Sequence, residues 1–153
     1  MGYTHYWDQK KDFTKSQWSA ILEDANGLLT QPLFQIPLED IILAVDRTGQ
    51  LGFESDEFSL DVTFSTEQIR FNGVEDDGHE TFVVTRKKGD EFNFCKTARK
   101  PYDLFVGLIL ARINHHAKGV LAISSDGDWD DWADIRRAYK SLYGQDLEEF
   151  FSK

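Results

Sequence analysis

The segment YDLFVGLILARINHHAKG, from Tyr102 to Gly119, most constrains the fold because it is apolar on nearly all sides as far as Leu110. A helix without a polar face has to be covered by other elements, so the segment predicts a largely buried helix. Pro101 suits the first helical turn, where its missing N–H costs nothing. Gly119 is typical of a helix end.

Four short runs before that helix are dense in Val, Ile, Phe and Thr, as strands are. Turn-forming segments such as VEDDGH and KKGD separate them, which predicts an antiparallel meander. YTHYWD near the start of the chain and VLAISS after the helix are further strand-like runs. Because strands are grouped and helices follow, we predict one α+β domain over residues 1–153, with a mostly antiparallel sheet of about five strands and three or four helices. The four runs are SLDVTFS, EQIRFNG, ETFVVTR and EFNFCKT.

Two more helices are expected. In the first, Thr14 caps the helix and Gln17 completes a capping box, and Pro32 and Pro37 end the element. The second, DGDWDDWADIRRAYKSLYG, has aspartates in its first turn and cations toward its end, which complements the helix dipole. The tail DLEEFFSK is expected to add a last helical turn, whereas residues 38–58 show no clear pattern. The buried stripe of the first helix is Trp18, Ile21, Leu22, Ala25, Leu28 and Leu29.

Composition narrows the class of protein. With 153 residues, the chain is long enough for one buried core. Its 27 acidic and 17 basic residues give a formal net charge of −10. That charge disfavours a nucleic acid polymer as partner, because such binding depends on Lys and Arg neutralising phosphates. No secretory signal and no apolar run of ~18 residues is present, so we expect a soluble cytoplasmic protein without a membrane partner. Cys95 is the single cysteine and is expected to be a small buried hydrophobe.

The segment FCKTARKPYD is unusually basic for so acidic a chain. Lys96, Arg99 and Lys100 lie where a strand-like run meets a helix start, and three more cations occupy residues 86–88. Free N–H groups and the helix dipole favour anions at such a place. Two interpretations stay open. The cations line a pocket for a phosphate or carboxylate, or they belong to a solvated loop and pair with neighbouring acids.

A second segment, SSDGDWDDW, places four aspartates between a strand and a helix. It resembles a calcium loop, but the twelfth position counted from Asp126 is Arg137 rather than Glu, so we expect no tight calcium binding. One interpretation is that Asp128 caps the helix while Asp130 and Asp131 complement its dipole. The other is a magnesium site formed by Asp126 and Asp128.

Other residues extend the candidate site. His5 has aromatic neighbours and is a candidate to line a pocket, and Asn72 lies on a predicted hairpin with a polar crown. Glu80 begins a strand as a charged residue, for which Lys96 or Arg99 would be a suitable buried partner. Trp129 and Trp132 share a helix face and are either core residues or a stacking platform. The further candidates for stacking are Tyr6 and Trp7.

The segments GYTHYW, FNG, HETF, FCKTARKPYD and SSDGDWDDW, in this order, resemble those of an uncharacterised family of small bacterial and phage proteins. The resemblance covers most of the chain except residues 31–58, and CKTARKPYD and SDGDWDDW are its most specific parts. It implies no activity and no catalytic residue. The phage members imply a class of function, since some small phage proteins without enzyme motifs capture nucleotide immune signals of the host.

We therefore predict a protein that binds an anionic, nucleotide-like small molecule without a metal or cofactor. Lys96, Arg99 and Lys100 would hold phosphate, aromatic rings would stack on the ligand, and Asp126 or Asp128 would accept from ribose hydroxyls. The first alternative is a metal-dependent enzyme acting on a phosphorylated or nucleotide substrate, with Asp126 and Asp128 on the metal and His5 or Glu80 as base. The second alternative is a protein–protein interaction module.

Overall fold

The structure is a computed structural model that describes residues 3–29, 63–72, 79–99 and 102–152. The predictions about residues 38–58, most of the turn VEDDGH, Lys100 and Pro101 lie outside the described residues. The helices are α1 (Lys15–Leu29), α2 (Asp103–His116) and α3 (Ala133–Tyr143). The strands are β1 (Thr4–Gln9), β2 (Thr63–Phe64), β3 (Gln68–Phe71), β4 (Phe82–Thr85), β5 (Asn93–Lys96) and β6 (Leu121–Ser125).

The strands form two antiparallel sheets, so the prediction of one meander is wrong. β2, β3 and β4 form one sheet in that order, whereas β1 lies between β5 and β6 in the other. The composition of a strand does not encode its partner. β5 leaves the meander because pairing with β1 places Cys95 opposite His5, and both are buried there. The α+β fold class is confirmed.

β1 is the central strand of its sheet, and its side chains alternate between two faces. His5, Trp7 and Gln9 point into the core and are buried. Tyr6 points to the outer face and is half-buried. The register carries this alternation to β5, where Phe94 lies opposite Tyr6 and is 55% exposed. The sheet therefore presents one face to the core and one outward.

α2 is the buried helix that the sequence predicts, because all residues from Leu104 to Ile113 are buried. α1 and α3 both pack against it. Gly107 permits the close approach of α3, since a side chain at this position would clash with Ile135. Among the residues that the structure describes, none of the helices has the length and apolar content needed to cross a membrane.

The capping box of α1 is confirmed. The Thr14 N–H donates to Gln17 Oε1 at 2.9 Å, and the Gln17 N–H donates to Thr14 Oγ1 at 3.1 Å. The predicted apolar stripe also faces the core, although Leu22 is half-buried and the side chain of Leu29 lies outside the described residues. The buried members of the stripe are Trp18, Ile21, Ala25 and Leu28.

α3 begins later than predicted. Successive turns over residues 128–132 precede it, and the Ala133 N–H donates to the Asp130 carbonyl at 3.1 Å. The aspartates of DGDWDD therefore lie in a loop before the helix. Gly144 adopts a left-handed backbone with φ of 71° and ends α3, as glycine commonly does.

The tail after Gly144 is not helical, which corrects the prediction of a last helical turn. Its Ser152 N–H donates to the Ile123 carbonyl at 2.6 Å, beside β6. Phe150 and Phe151 pack edge-on against Trp132, with ring centres 5.6 and 4.9 Å away. The tail departs from a helix because its half-buried aromatic side chains pack against this tryptophan instead.

Candidate functional site

The two charged segments meet at the start of β1, on either side of Thr4. Lys96 is the partner of Thr4 in the β1–β5 register. On the other side, the Thr4 N–H donates to Asp126 Oδ2 at 3.0 Å, and the Asp126 N–H donates to the Thr4 carbonyl at 2.9 Å. The Tyr6 hydroxyl donates to Asp126 Oδ1 at 2.9 Å. The segments thus lie close in space, as expected, with β1 between them.

Opposite charges do not hold this junction together, so that part of the prediction is wrong. Within the described ranges, neither Lys96 nor Arg99 forms an ion pair with an acidic side chain. The carboxylate of Asp126 bonds to Thr4 and Tyr6 instead. Lys96 is half-buried and Arg99 is exposed. Backbone pairing brings the segments together, and their charges remain separate.

A strained turn places Arg99. Ala98 and Arg99 both have a left-handed backbone, with φ of 52° and 58°, which costs an L-residue about 1–2 kcal/mol. The N–H groups of Thr97 and Ala98 both donate to the Tyr3 carbonyl, at 3.0 and 3.1 Å. The Arg99 guanidinium consequently lies over the Tyr3 ring, 4.0 Å from its centre. Strain of this kind concentrates at functional sites.

Beneath the junction, His5 is fully buried and bonds in two directions. Its Nε2 lies 2.6 Å from Asp103 Oδ1, and its Nδ1 lies 2.9 Å from Ser125 Oγ. Thr97 Oγ1 donates to the same Asp103 oxygen at 2.6 Å. Because an ionised Asp103 only accepts, Nε2 carries the proton, and in the neutral ring Nδ1 accepts from the Ser125 hydroxyl.

Ser125, His5 and Asp103 have the order of a catalytic triad, but the Ser125 hydroxyl is fully engaged. Its oxygen accepts the Gly127 N–H at 3.0 Å and the Trp132 Nε1–H at 3.4 Å, and its proton goes to His5. A hydroxyl has two lone pairs and one proton, so none remains for a substrate. His5 therefore lies in an internal brace and does not line a pocket.

The outer face of β1 and β5 exposes aromatic side chains. Phe92 and Phe94 are 58% and 55% exposed, and no other large hydrophobic side chain of the described residues is as open. Tyr6 stacks on Phe92 with ring centres 6.1 Å apart, and it lies opposite Phe94. Lys96 follows Phe94 by two residues on one strand, so both side chains share this face. We call Tyr6, Phe92, Phe94 and Lys96 the outer aromatic face.

Glu80 has a partner, but it is not the cationic group that the sequence suggested. Glu80 Oε1 accepts the backbone N–H of Lys96 at 2.7 Å, and the Glu80 N–H donates to the Lys96 carbonyl at 3.1 Å. The Tyr102 hydroxyl donates to the Glu80 carbonyl at 2.6 Å. Glu80 therefore provides hydrogen-bond partners for the backbone N–H and carbonyl groups at the end of β5.

Cys95 is buried, as predicted, and its Sγ lies 3.4 Å from the Glu80 carbonyl oxygen. Burial raises the pKa of the Cys95 thiol to about 12. Burial also raises the pKa of the neighbouring Tyr102 hydroxyl. Because the thiolate is the nucleophilic form, a thiol that stays protonated at neutral pH is inert.

The remaining aspartates bond within their own loop. The Asp128 N–H donates to Asp131 Oδ2 at 2.9 Å, and the Asp131 N–H donates to Asp128 Oδ1 at 3.0 Å. This reciprocal pattern is that of a capping box, applied to the turns before α3. Asp128 therefore caps these turns and not α3 itself, whose N-cap residue is Trp132 and has no side-chain cap hydrogen bond. Across the described ranges, His, Cys, Asp and Glu side chains nowhere gather in groups of three or more that could hold a metal ion.

Two of the aromatic candidates for stacking lie in the core. Trp7 and Trp132 are almost completely buried, so neither ring is open to a ligand. Trp129 is half-buried against Phe151, with ring centres 5.3 Å apart. The Arg136 guanidinium lies 5.3 Å from the centre of the Trp129 ring. Of these three tryptophans, none presents a stacking surface comparable to the outer aromatic face.

Asn72 closes its own hairpin. Its Nδ2 donates to the His79 carbonyl at 2.9 Å, and its Oδ1 accepts the His79 N–H at 3.1 Å. Asn72 therefore connects the two ends of the β3–β4 connection through hydrogen bonds to the backbone of His79. Of the predicted residues, those that it gathers at the junction are His5, Tyr6, Glu80, Lys96, Arg99 and Asp126.

Sequence reasoning missed several residues of the junction. One of them had a usable signal: because side chains alternate along a strand, burying Cys95 turns Phe94 outward. The others are brought in by pairing between distant segments, which no local pattern shows. The missed residues are Tyr3, Phe92, Phe94, Thr97, Asp103 and Ser125.

Comparisons with known proteins found no match to a family model, to a curated protein or to a solved structure. The candidate site therefore rests on its own geometry.

Proposed function

We propose that the protein binds an anionic, nucleotide-like small molecule on the outer aromatic face, with Arg99 at its end. One observation carries the proposal: exposed Phe94 lies on the same face as Lys96, with Tyr6 opposite it. Aromatic rings stack on nucleotide bases, and Lys and Arg contact phosphates. A face that combines aromatic rings with cations can therefore contact both the base and the phosphate of a nucleotide.

The charges at the junction support this location over a depression along α3, which has a volume of ≈690 Å³ and also carries cations. Two of the three cations there are paired, Arg137 with Asp134 at 3.2 Å and Lys140 with Asp146 at 3.0 Å, while Arg136 lies over the Trp129 ring. Lys96 has no acidic partner of this kind in the described part of the chain. The free energy of binding an anion is therefore more favourable at the junction, because the anion does not have to displace a carboxylate from Lys96.

Asp126 adds a place for a ligand hydroxyl. Each of its carboxylate oxygens accepts one protein hydrogen bond, from Thr4 or from Tyr6. A carboxylate has about four lone-pair sites, so Asp126 keeps capacity to accept from a ribose hydroxyl beside Tyr6. Such a site binds without performing chemistry. That behaviour suits a protein that sequesters a nucleotide signal, as the resemblance to phage proteins implies.

Isothermal titration calorimetry with ATP and with cyclic AMP tests the proposal. We expect Lys96→Ala and Phe94→Ala to weaken binding at least about tenfold, since each removes one half of the recognition. Lys140→Ala, an exposed cation outside the junction, is the matched control and should bind normally. Binding should also weaken with added salt, because the phosphate contact is ionic. Absence of binding by both nucleotides, or unchanged binding by Phe94→Ala, would refute the site.

The same exposed phenylalanines favour a protein–protein interaction module as the second candidate. An apolar protein contact would depend on Phe92 and Phe94 but little on Lys96 or on salt. Affinity capture with the wild type and with the Phe92→Ala/Phe94→Ala double variant distinguishes the two. A single partner that the double variant loses and Lys96→Ala retains would favour the module.

A further inference from the structure

The outward edge of β5 carries backbone groups that β1 does not use. The Lys96 N–H and carbonyl both bond to Glu80. Thr4, which lies opposite Lys96, directs its own N–H and carbonyl to Asp126 on the far side of β1. Lys96 and Thr4 thus form a pair without backbone bonds between them, and such pairs recur at every second residue of an antiparallel ladder. The N–H and carbonyl of Phe94 therefore also point away from β1, and no hydrogen-bonding group within the described ranges reaches them.

The opposite edge of the same sheet is covered. There the Ser152 N–H of the tail donates to the Ile123 carbonyl of β6. Proteins commonly protect a sheet edge with a covering segment, a charged side chain or a proline, because an open edge can pair with another chain. The open part of β5 has instead two exposed phenylalanines, Phe92 and Phe94, on either side of Asn93. Aromatic residues interact well across paired strands, so this edge is suited to a further strand.

The two ends of the open edge match an antiparallel copy of the edge itself. Glu80 occupies the edge just beyond Phe94, and the chain bends at residues 90–91, just before Phe92. A two-fold axis through Asn93 places Phe92 of one copy opposite the partner's Phe94, where the outward backbone groups of both residues face each other. The partner chain then bends away before it reaches Glu80. Pairing in this register therefore uses the whole open edge without a collision at either end.

The charges along the edge agree with this pairing. Acidic Asp90 and Glu91 lie at one end of the strand, and Lys96 lies at the other. Antiparallel pairing of two copies brings the acidic end of one strand to the cationic end of its partner, whereas parallel pairing would bring like charges together. In the part of the chain that the structure describes, none of these three side chains forms an ion pair. The order of charges therefore favours an antiparallel second copy as the occupant of this edge.

We propose that the protein forms a symmetric dimer in which the β5 edges of two copies pair antiparallel about Asn93. Each pair of Phe92 with the partner's Phe94 exchanges both of its N–H···O bonds, with Cα atoms about 5.5 Å apart. The outer aromatic faces of the two copies then form one continuous surface. The dimer goes beyond the proposed function and does not rest on it. Where both hold, a nucleotide competes with the partner's acidic end for Lys96.

Sedimentation velocity without nucleotide tests the dimer. We expect the mass of wild type to rise from that of one chain toward twice that value between about 10 μM and about 1 mM, the range of a small, reversible interface. Lys140→Glu, which reverses an exposed charge on α3, is the matched control for charge and should associate as wild type does.

Two substitutions at one position separate the backbone edge from the phenyl ring. Phe94→Ala removes the ring and keeps the outward N–H, whereas Phe94→Pro removes both. Proline is tolerated on an edge strand whose N–H faces outward, so the pairing with β1 should survive. We expect Phe94→Pro to weaken association about tenfold more than Phe94→Ala does, because the symmetric interface loses the same hydrogen bond twice.

A mixing experiment identifies the partner as a second copy. Asp90→Lys/Glu91→Lys and Lys96→Glu each place like charges at both ends of the paired strands, so each should self-associate more weakly than wild type. An equal mixture of the two variants brings opposite charges together again at both ends. It should therefore associate more strongly than either variant alone.

Three results overturn the inference. They are wild type that remains a single chain at about 1 mM, Phe94→Pro that associates as strongly as Phe94→Ala, and a mixture that associates no better than its separate variants. If Phe94→Pro does not fold, hydrogen exchange of wild type replaces it. The Phe92 and Phe94 amides should then exchange more slowly at high protein concentration than at low, and exchange that is independent of concentration would overturn the dimer. All these measurements are made without nucleotide, so their failure leaves the proposed function to its own titrations.

Discussion

The two ends of α2 each carry a buried polar cluster, and the clusters differ in what they connect. At the start, Asp103 bonds to His5 on β1. At the end, Arg112 is 9% exposed and its Nε donates to Asp24 Oδ2 at 2.7 Å, while Nη1 donates to the Tyr139 hydroxyl at 2.9 Å. His116 Nε2 lies 2.5 Å from the same Asp24 oxygen.

The second cluster joins three rigid helices, α1, α2 and α3. The first cluster joins strand ends to loops, and it lies beneath an exposed aromatic face. Binding residues concentrate in loops that a rigid scaffold positions. Of the two clusters, only the first has this arrangement. The depression beside the second cluster, ≈260 Å³, is lined by Glu23 and Asp24, which do not suit an anion. Buried polar contacts alone therefore do not identify a site.

The first prediction tests the cluster at the C-terminal end of α2. We expect Arg112→Leu to lower the free energy of unfolding by about 2–4 kcal/mol, because it removes the buried partner of an ion pair whose other member, Asp24, is half-buried. Urea denaturation measures this. The double variant Arg112→Leu/Asp24→Leu should lose less of its free energy of unfolding, since it leaves neither charge of the ion pair without its partner. Nucleotide affinity of folded Arg112→Leu should match wild type, and a loss there would mean that the two ends are coupled.

At the other end of α2, we expect His5→Gln to lower the free energy of unfolding by about 1–3 kcal/mol, the cost of leaving a buried polar group unpaired. A Gln side chain does not span Asp103 and Ser125 as the imidazole does. Thr97→Val removes a single bond and is the milder control. Urea denaturation that ranks Thr97→Val as the more damaging change would contradict the central position of His5.

The middle of α2 tests packing instead of polar contacts. We expect Gly107→Ala to lower the free energy of unfolding by about 1–2 kcal/mol, because the added methyl group clashes with Ile135. Gly89→Ala is the matched control, since a methyl group there meets no atom. Thermal unfolding of both variants measures the difference. Equal stability would show that α3 moves aside easily.

The thiol beside the junction gives a prediction about alkaline pH. Burial raises the pKa of Cys95 from 9.0 to about 12, so the folded protein holds the proton more tightly than the unfolded chain. Its contribution to stability is present below pH 9.0 and is lost as the pH rises toward about 12, at up to about 1.4 kcal/mol per pH unit.

Urea denaturation of wild type and Cys95→Ala checks this prediction at about pH 8 and about pH 10. The stability advantage of wild type over the variant should shrink by about 1 kcal/mol between the two. An unchanged difference would mean that the thiol is less buried than the structure shows.

The smallest effect is expected at an exposed ion pair outside both clusters. Lys140→Ala removes the contact with Asp146 and should change the free energy of unfolding by less than about 0.5 kcal/mol, as exposed pairs do. The same variant serves as the control for nucleotide binding. A larger loss on urea denaturation would show that the tail is held by this pair as well as by its aromatic residues.

Local patterns in the sequence predicted what depends on neighbouring residues. The Thr14–Gln17 capping box and the buried α2 are of this kind, because both are determined within a few turns of one helix. The burial of Cys95 followed from its apolar surroundings. The α+β class followed from the grouping of strands before helices.

Other features depend on pairing between distant segments, which local patterns do not contain. The β1–β5 pairing split the expected meander and turned Phe94 outward beside Lys96. The same pairing gave Glu80 the backbone N–H of Lys96 as partner, where sequence reasoning expected a cationic side chain. His5 was predicted as a site residue, but its role in the brace depends on Asp103 and Ser125 from other elements.

The central place of β1 has a consequence for the order of folding. His5 and Ser125 are 120 residues apart in the chain, and β1 has no partner in its sheet until residues 93–96 are available. Closing loops of this length is entropically unfavourable, and long-range strand pairing is slow. We therefore expect α1 and the β2–β4 sheet to form while both edges of β1 are still open. In that interval the nascent YTHYWD strand is exposed to pairing with other chains, so the segment that completes the junction is also where misassembly would begin.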